Sequence, residues 1–121
     1  MLGARTSPAG IWWAILVDRL TQLQALVTPE LAGTIQFQIR GPASDARYCF
    51  LVLRPGAVSS GAGIASTFDE WVATTESALE AVLFKGTAEG LRVTGDRALF
   101  EGILGRVART QPTGRAAFFR G

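Results

Sequence analysis

A chain of 121 residues has room for one domain with its own core and none for a second, and 48% hydrophobic against 18% charged residues set it apart from disordered sequences. Twelve basic against ten acidic residues leave a net charge of +2, too little for nonspecific attraction to a phosphate backbone, so nucleic acid is not an expected partner. The lone Cys49 excludes an internal disulfide, and the apolar run Ile11 to Val17 is too short to span a bilayer and lacks the basic leader of a signal peptide, so a cytoplasmic protein is expected.

The spacing of Trp12, Ile15, Leu16, Leu20, Leu23, Leu26 and Val27 predicts a helix over Ile11 to Val27, closed by Thr28-Pro29. Arg19 falls inside the apolar face and is expected to reach water from its rim. Thr34 to Arg40 then alternates strictly, with Ile35, Phe37 and Ile39 inward and Thr34, Gln36, Gln38 and Arg40 outward, the pattern of a strand with one wet face. After a turn through Gly41-Pro42 and Ser44-Asp45, the run Arg47 to Arg54 is apolar on both faces and predicts a central strand. Tyr48, Phe50 and Val52 are assigned to the inner layer with Phe37 and Ile39, which leaves Cys49, Leu51 and Leu53 on the second face.

Pro55-Gly56 predicts a tight connection to a third strand over Ala57 to Ala62, built from small side chains. Asp69-Glu70 reads as a polar start to a fourth strand, Trp71 to Thr74, and Thr75 begins a helix with a capping box in Ser77 and Glu80. Leu79, Val82 and Leu83 form its buried stripe, and Gly86 stops it. Leu91 and Val93 share one face of a fifth strand that ends at Gly95, where Asp96 is placed to cap a helix over Arg97 to Ala108 with the stripe Leu99, Phe100, Ile103, Leu104 and Val107.

Pro112-Thr113-Gly114 ends that helix, so the core spans about residues 11 to 108 and a tail follows over 109 to 121. Arg106, Arg109, Arg115 and Arg120 have no acid after Glu101 to answer them. Arg115, Phe118, Phe119 and Arg120 make the tail a candidate lid, or a transient contact with an anionic membrane surface. The order helix, three strands, strand, helix, strand, helix predicts an α+β domain: a five-stranded, mainly antiparallel sheet with helices packed on one face.

The sequence holds no histidine, which removes the commonest general base and metal ligand. Cys49 lies in an apolar run where a thiol has a raised pKa, Glu76 and Glu80 read as a solvated helix face, and Gly61-Ala62-Gly63 lacks the remaining spacing of a phosphate loop. No catalytic residue, metal or cofactor is expected.

Read as a whole, Thr34 to Val107 resembles the sterol carrier protein 2 family of nonspecific lipid transfer domains. The likeness rests on three local patterns. They are Tyr48-Cys49-Phe50-Leu51-Val52-Leu53-Arg54-Pro55-Gly56-Ala57-Val58 after an alternating strand, the junction Val72-Ala73-Thr74-Thr75-Glu76-Ser77 with Leu79, Val82 and Leu83, and Leu91-Arg92-Val93-Thr94-Gly95-Asp96 with Leu99. A departure is the short link Thr87 to Gly90, where family members usually carry a longer segment. The resemblance implies noncatalytic binding or transfer of an apolar lipid or acyl ligand, such as a sterol, fatty acid, acyl-CoA or isoprenoid, between sheet and helices.

The large apolar side chains assigned to that layer are the candidate ligand contacts: Phe37, Ile39, Tyr48, Phe50, Val52, Leu79, Leu83, Leu91, Val93, Phe100, Ile103 and Leu104. An empty void of about 300 Å³ among them costs on the order of 7 kcal/mol, so a free protein must collapse, fill the space or cover it. Gly102 and Gly105 support either a mobile helix wall or close helix packing. The alternative function is a dimerisation or accessory module supporting a lipid-metabolising enzyme, with the second face of Arg47 to Arg54, Leu51 above all, covered by another chain.

Overall fold

The computed structural model describes residues 10–41, 45–85 and 90–110, with side chains to Val107. Alternation over Gly33–Arg40 becomes β1, the middle strand of a five-stranded sheet that also contains β2 (Ala46–Arg54), β3 (Ala57–Ala62), β4 (Glu70–Thr75) and β5 (Arg92–Gly95). The strand order is β3-β2-β1-β4-β5. β1 runs parallel to β4, and the other three pairings are antiparallel. The predicted turn residues Pro42 to Ser44, the stop at Gly86 and the tail after Thr110 lie outside the described residues.

Three helices, α1 (Ile11–Gln22), α2 (Glu76–Lys85) and α3 (Leu99–Thr110), join the sheet's inner face in one apolar core. Phe37 of β1 stands at its centre: Trp13 of α1 meets it edge-on at 4.9 Å between ring centroids, and Phe100 of α3 meets it at 5.1 Å and 88°. Edge-to-face pairs of this kind add roughly 0.5–1.5 kcal/mol each beyond their buried area. Among the described residues no helix is long and apolar enough to cross a membrane.

Helix limits differ from the sequence expectation in ways local chemistry explains. α1 ends at Gln22 instead of Val27, because the chain leaves helical geometry at Leu23 and tightens into 3-10 turns at Gln24–Leu26 and Pro29–Leu31. Thr28 is extended, as the residue before a proline must be, and Pro29 opens the second of those turns. With the helix shortened, Trp13, Leu16 and Leu20 become its buried face, while Trp12 turns to Phe84 of α2 at 5.3 Å. Arg19 is half-buried.

α2 is capped by Thr75, whose Oγ1 accepts the Ala78 N–H at 3.0 Å, and Ser77 lies inside the helix. α3 begins at Leu99, three residues beyond Asp96, so the predicted cap is out of place. Its first turn is satisfied from the sheet: the Phe100 N–H donates to Glu70 Oε1 at 2.8 Å. β5 is shorter than expected and exposed along its length, since only β4 neighbours it.

Candidate functional site

Strand register sorts the expected ligand contacts into two groups. Phe37 pairs with Cys49 and Ile35 with Leu51, whereas Gln36 pairs with Phe50, Gln38 with Tyr48 and Thr34 with Val52. Residues directly opposite one another share a face. Cys49, Leu51 and Leu53 therefore point inward with Ile35, Phe37 and Ile39, and all six are buried. Tyr48, Phe50 and Val52 lie on the outer face and are half-buried, the reverse of the sequence assignment. β2 is apolar on both faces, so alternation alone does not choose between them; the β1 pairing does.

Of the twelve expected contacts, Phe37, Ile39, Leu79, Leu83, Phe100 and Ile103 meet in the inner layer, with Leu91 and Leu104 packed half-buried against it. Val93 pairs with Val72 but stands 49% exposed at the sheet's edge. Leu51, expected on a face open to a partner chain, is fully buried. Gly102 faces Leu31: a Cβ there lies 2.7 Å from the leucine Cδ2, so the glycine admits a close approach between α3 and the turn Pro29–Leu31.

The inner layer also holds two polar side chains that apolar patterning did not single out, Glu70 and Thr74. Glu70 is 1% exposed. One of its oxygens takes the α3 amide; the other, Oε2, has no hydrogen-bond partner among the described residues. Burial pushes its pKa above the usual carboxylate range, and the amides of Phe100 and Leu99 pull only partly against that. The signal was parity: Glu70 shares a face with Val72 and Thr74, and Ile35 pairs with it directly.

Cys49 is fully buried, and desolvation pushes its thiol up to about 12, consistent with a structural side chain. Arg106 does have an acid to answer it. Its guanidinium donates to Glu30 Oε2 at 2.9 Å and to Thr28 Oγ1 at 2.6 Å, tying α3 to the turn Pro29–Leu31. Hydrogen bonding by the Glu30 backbone amide, then by Arg106 and Thr28, holds the Glu30 carboxyl at about 2. The two residues are 76 apart in sequence, a distance over which charge counting is blind.

On the outer face, Gln36 is not solvated as alternation suggested but fully buried. Its Nε2 donates to the Cys49 and Gly63 carbonyls at 3.0 Å each, and its Oε1 accepts the Ala65 N–H at 2.8 Å. These bonds fix the crossover loop, residues 63–69, against the sheet. Phe68 packs on Trp71 at 5.4 Å, Trp71 meets Tyr48 at 6.2 Å, and the Phe50 ring lies across Gly61, where a Cβ comes within 2.8 Å of its Cε1.

No family model matches the chain, and no curated protein matches it. Solved structures do. The apo form of sterol carrier protein 2 from Yarrowia lipolytica superposes with a TM-score of 0.62 at 16% identity, over 93% of this chain and 97% of that one. A ubiquinone synthesis protein, UbiJ-SCP2, gives 0.61 at 15% identity over 81% and 94% of the two chains. The palmitated SCP2L2 of Aedes aegypti, solved in solution, gives 0.54 at 19% identity over 77% and 90%. A mixed, mostly antiparallel five-stranded sheet, with its helices in one core on the inner face, thus has known counterparts: the chain has the sterol carrier protein 2 fold.

Proposed function

We propose that the protein binds an apolar, lipid-class molecule without catalysis, in the layer between the inner face of the sheet and its helices. The observation that carries this reading is the fold shared with a palmitated protein, combined with an inner layer made of Phe37, Ile39, Leu79, Leu83, Phe100 and Ile103. Leu91 and Leu104, half-buried and packed against that layer, extend the apolar lining assigned to the ligand in this reading. Apolar area removed from water on both partners supplies roughly 25 cal/mol per Å², enough to hold a long acyl chain with few polar contacts.

A native-state ligand raises stability by mass action, about 2.7 kcal/mol at a concentration one hundred times its Kd. Protein stripped of copurified lipid is melted with palmitate, an acyl-CoA and a sterol, and the untreated protein is weighed intact by native mass spectrometry. A rise in Tm with one of these, or a bound lipid mass, supports the reading. Unchanged melting with all three and no copurified lipid removes it.

The likeness to a ubiquinone synthesis protein favours a second reading, an accessory domain beside a lipid-metabolising enzyme. Specific copurification with such an enzyme, together with no lipid response in the melts, supports this one instead.

A further inference from the structure

The outer face of the sheet carries no helix among the described residues. Tyr48, Phe50, Val52 and Trp71 lie across it, and the loop 63–69, stitched to Gln36, runs over its middle. That loop leaves Ile64 60% and Phe68 43% exposed, two of the largest exposed apolar side chains in the structure. Charge on the strand positions of this face has one sign. Register places Arg40, Arg54 and Arg92 there, and no strand position on it is acidic. Asp69, the loop's one carboxylate, accepts the Thr34 N–H at 2.9 Å. Arg54 and Arg92 are exposed and have no ion pair among the described residues.

These features select among occupants. Two copies joined face to face through a twofold axis bring arginines toward arginines, with no acid on the strands to answer them. Aromatic rings flanked by arginines, with an aliphatic and an aromatic side chain projecting from a loop, match the boundary between headgroups and acyl chains of a bilayer. We propose that this outer face docks on an anionic lipid bilayer, Ile64 and Phe68 entering the boundary while Arg54 and Arg92 engage the headgroups. The docking is independent of any ligand in the inner layer and stands or falls separately from it.

Full-length protein is sedimented with vesicles of phosphatidylcholine alone and with vesicles in which about one-third is phosphatidylglycerol. Binding to the anionic vesicles only, weakening as salt rises, is expected. The pair Ile64→Ser and Phe68→Ser lowers partitioning about tenfold, as does the pair Arg54→Glu and Arg92→Glu. Ile11→Ser, which removes an exposed apolar side chain from α1, leaves it unchanged. Brominated acyl chains give a readout that does not depend on a variant of the loop: they quench the tryptophan emission of bound protein, and Trp71→Phe removes most of that quenching. Equal binding to neutral vesicles, no binding to either, or undiminished binding and quenching in these variants overturns the proposal. So does a dimer seen by light scattering that Phe68→Ser dissociates.

Discussion

Glu70 and Phe100, thirty residues apart, are joined by a single hydrogen bond of 2.8 Å that ties the start of β4 to the first turn of α3. A carboxyl group with one oxygen on a helix N-terminus and the other buried without a partner is poorly placed to carry charge. Its native pKa is raised, so the native state keeps the proton to a higher pH than the unfolded chain does. Stability from this group is therefore fully present below the ordinary carboxylate pKa and is lost as pH rises through the native value. Glu70→Gln keeps the acceptor for Phe100 and cannot ionise. Chemical denaturation at a series of pH values should show a flatter dependence for the variant, with its advantage growing toward alkaline pH. Glu70→Ala, which leaves the helix amide unsatisfied, should cost about 1–3 kcal/mol at acid pH.

The two faces of the sheet should respond differently to truncation. Phe37→Ala removes the ring that both Trp13 and Phe100 meet and is expected to destabilise by about 3–5 kcal/mol. Val52→Thr, on the half-buried outer face, should cost under about 1 kcal/mol. Urea midpoints at constant m-value check both. Equal losses would contradict the register that places Val52 opposite Thr34.

Gln36 binds two carbonyls and one amide from inside the sheet. Gln36→Leu keeps the bulk but leaves the Ala65 N–H and the Gly63 carbonyl without that partner, at a cost of about 2 kcal/mol or more. The loop should detach before the strands do. Hydrogen exchange at Ala65 should then rise by orders of magnitude while amides of β1 and β2 stay protected.

Cys49, with its thiol raised to about 12, should be inert to a thiol reagent at pH 8 in the native protein and react fully in denaturant. Native labelling at a rate typical of a free thiol would show that β2 opens or faces the other way.

Much of this architecture was readable from residue pattern alone. β1 and the stripe Leu79, Val82 and Leu83 emerged because each is apolar on one side only, so periodicity has a single solution, whereas β3, built from small side chains, was read from the Pro55-Gly56 turn before it. β2 is apolar on both sides, and its facing was settled only by the partner strand, which moved Tyr48, Phe50 and Val52 out of the expected contact layer. The start of α3 depended on a group far away in sequence: Glu70, not the nearby Asp96, serves it. The same holds for Arg106 and Glu30, whose pairing needs the fold before it exists. Single polar residues inside apolar strands, Gln36 and Glu70, were the hardest to see. A period of two assigns a face to them but says nothing of what will later cover it.

The parallel pairing of β1 with β4 bears on how the chain assembles. Ile35 meets Glu70 across 35 residues of sequence, whereas β2 reaches β1 and β3 reaches β2 through short reversals. Local hairpins can close quickly, but the parallel neighbour must wait for a long loop to be drawn in, and until then one side of β1 remains an open template for another chain. Emission from Trp71 should thus report a later step in refolding than protection of β2 amides. The interval between those signals is when the nascent protein is most exposed to aggregation.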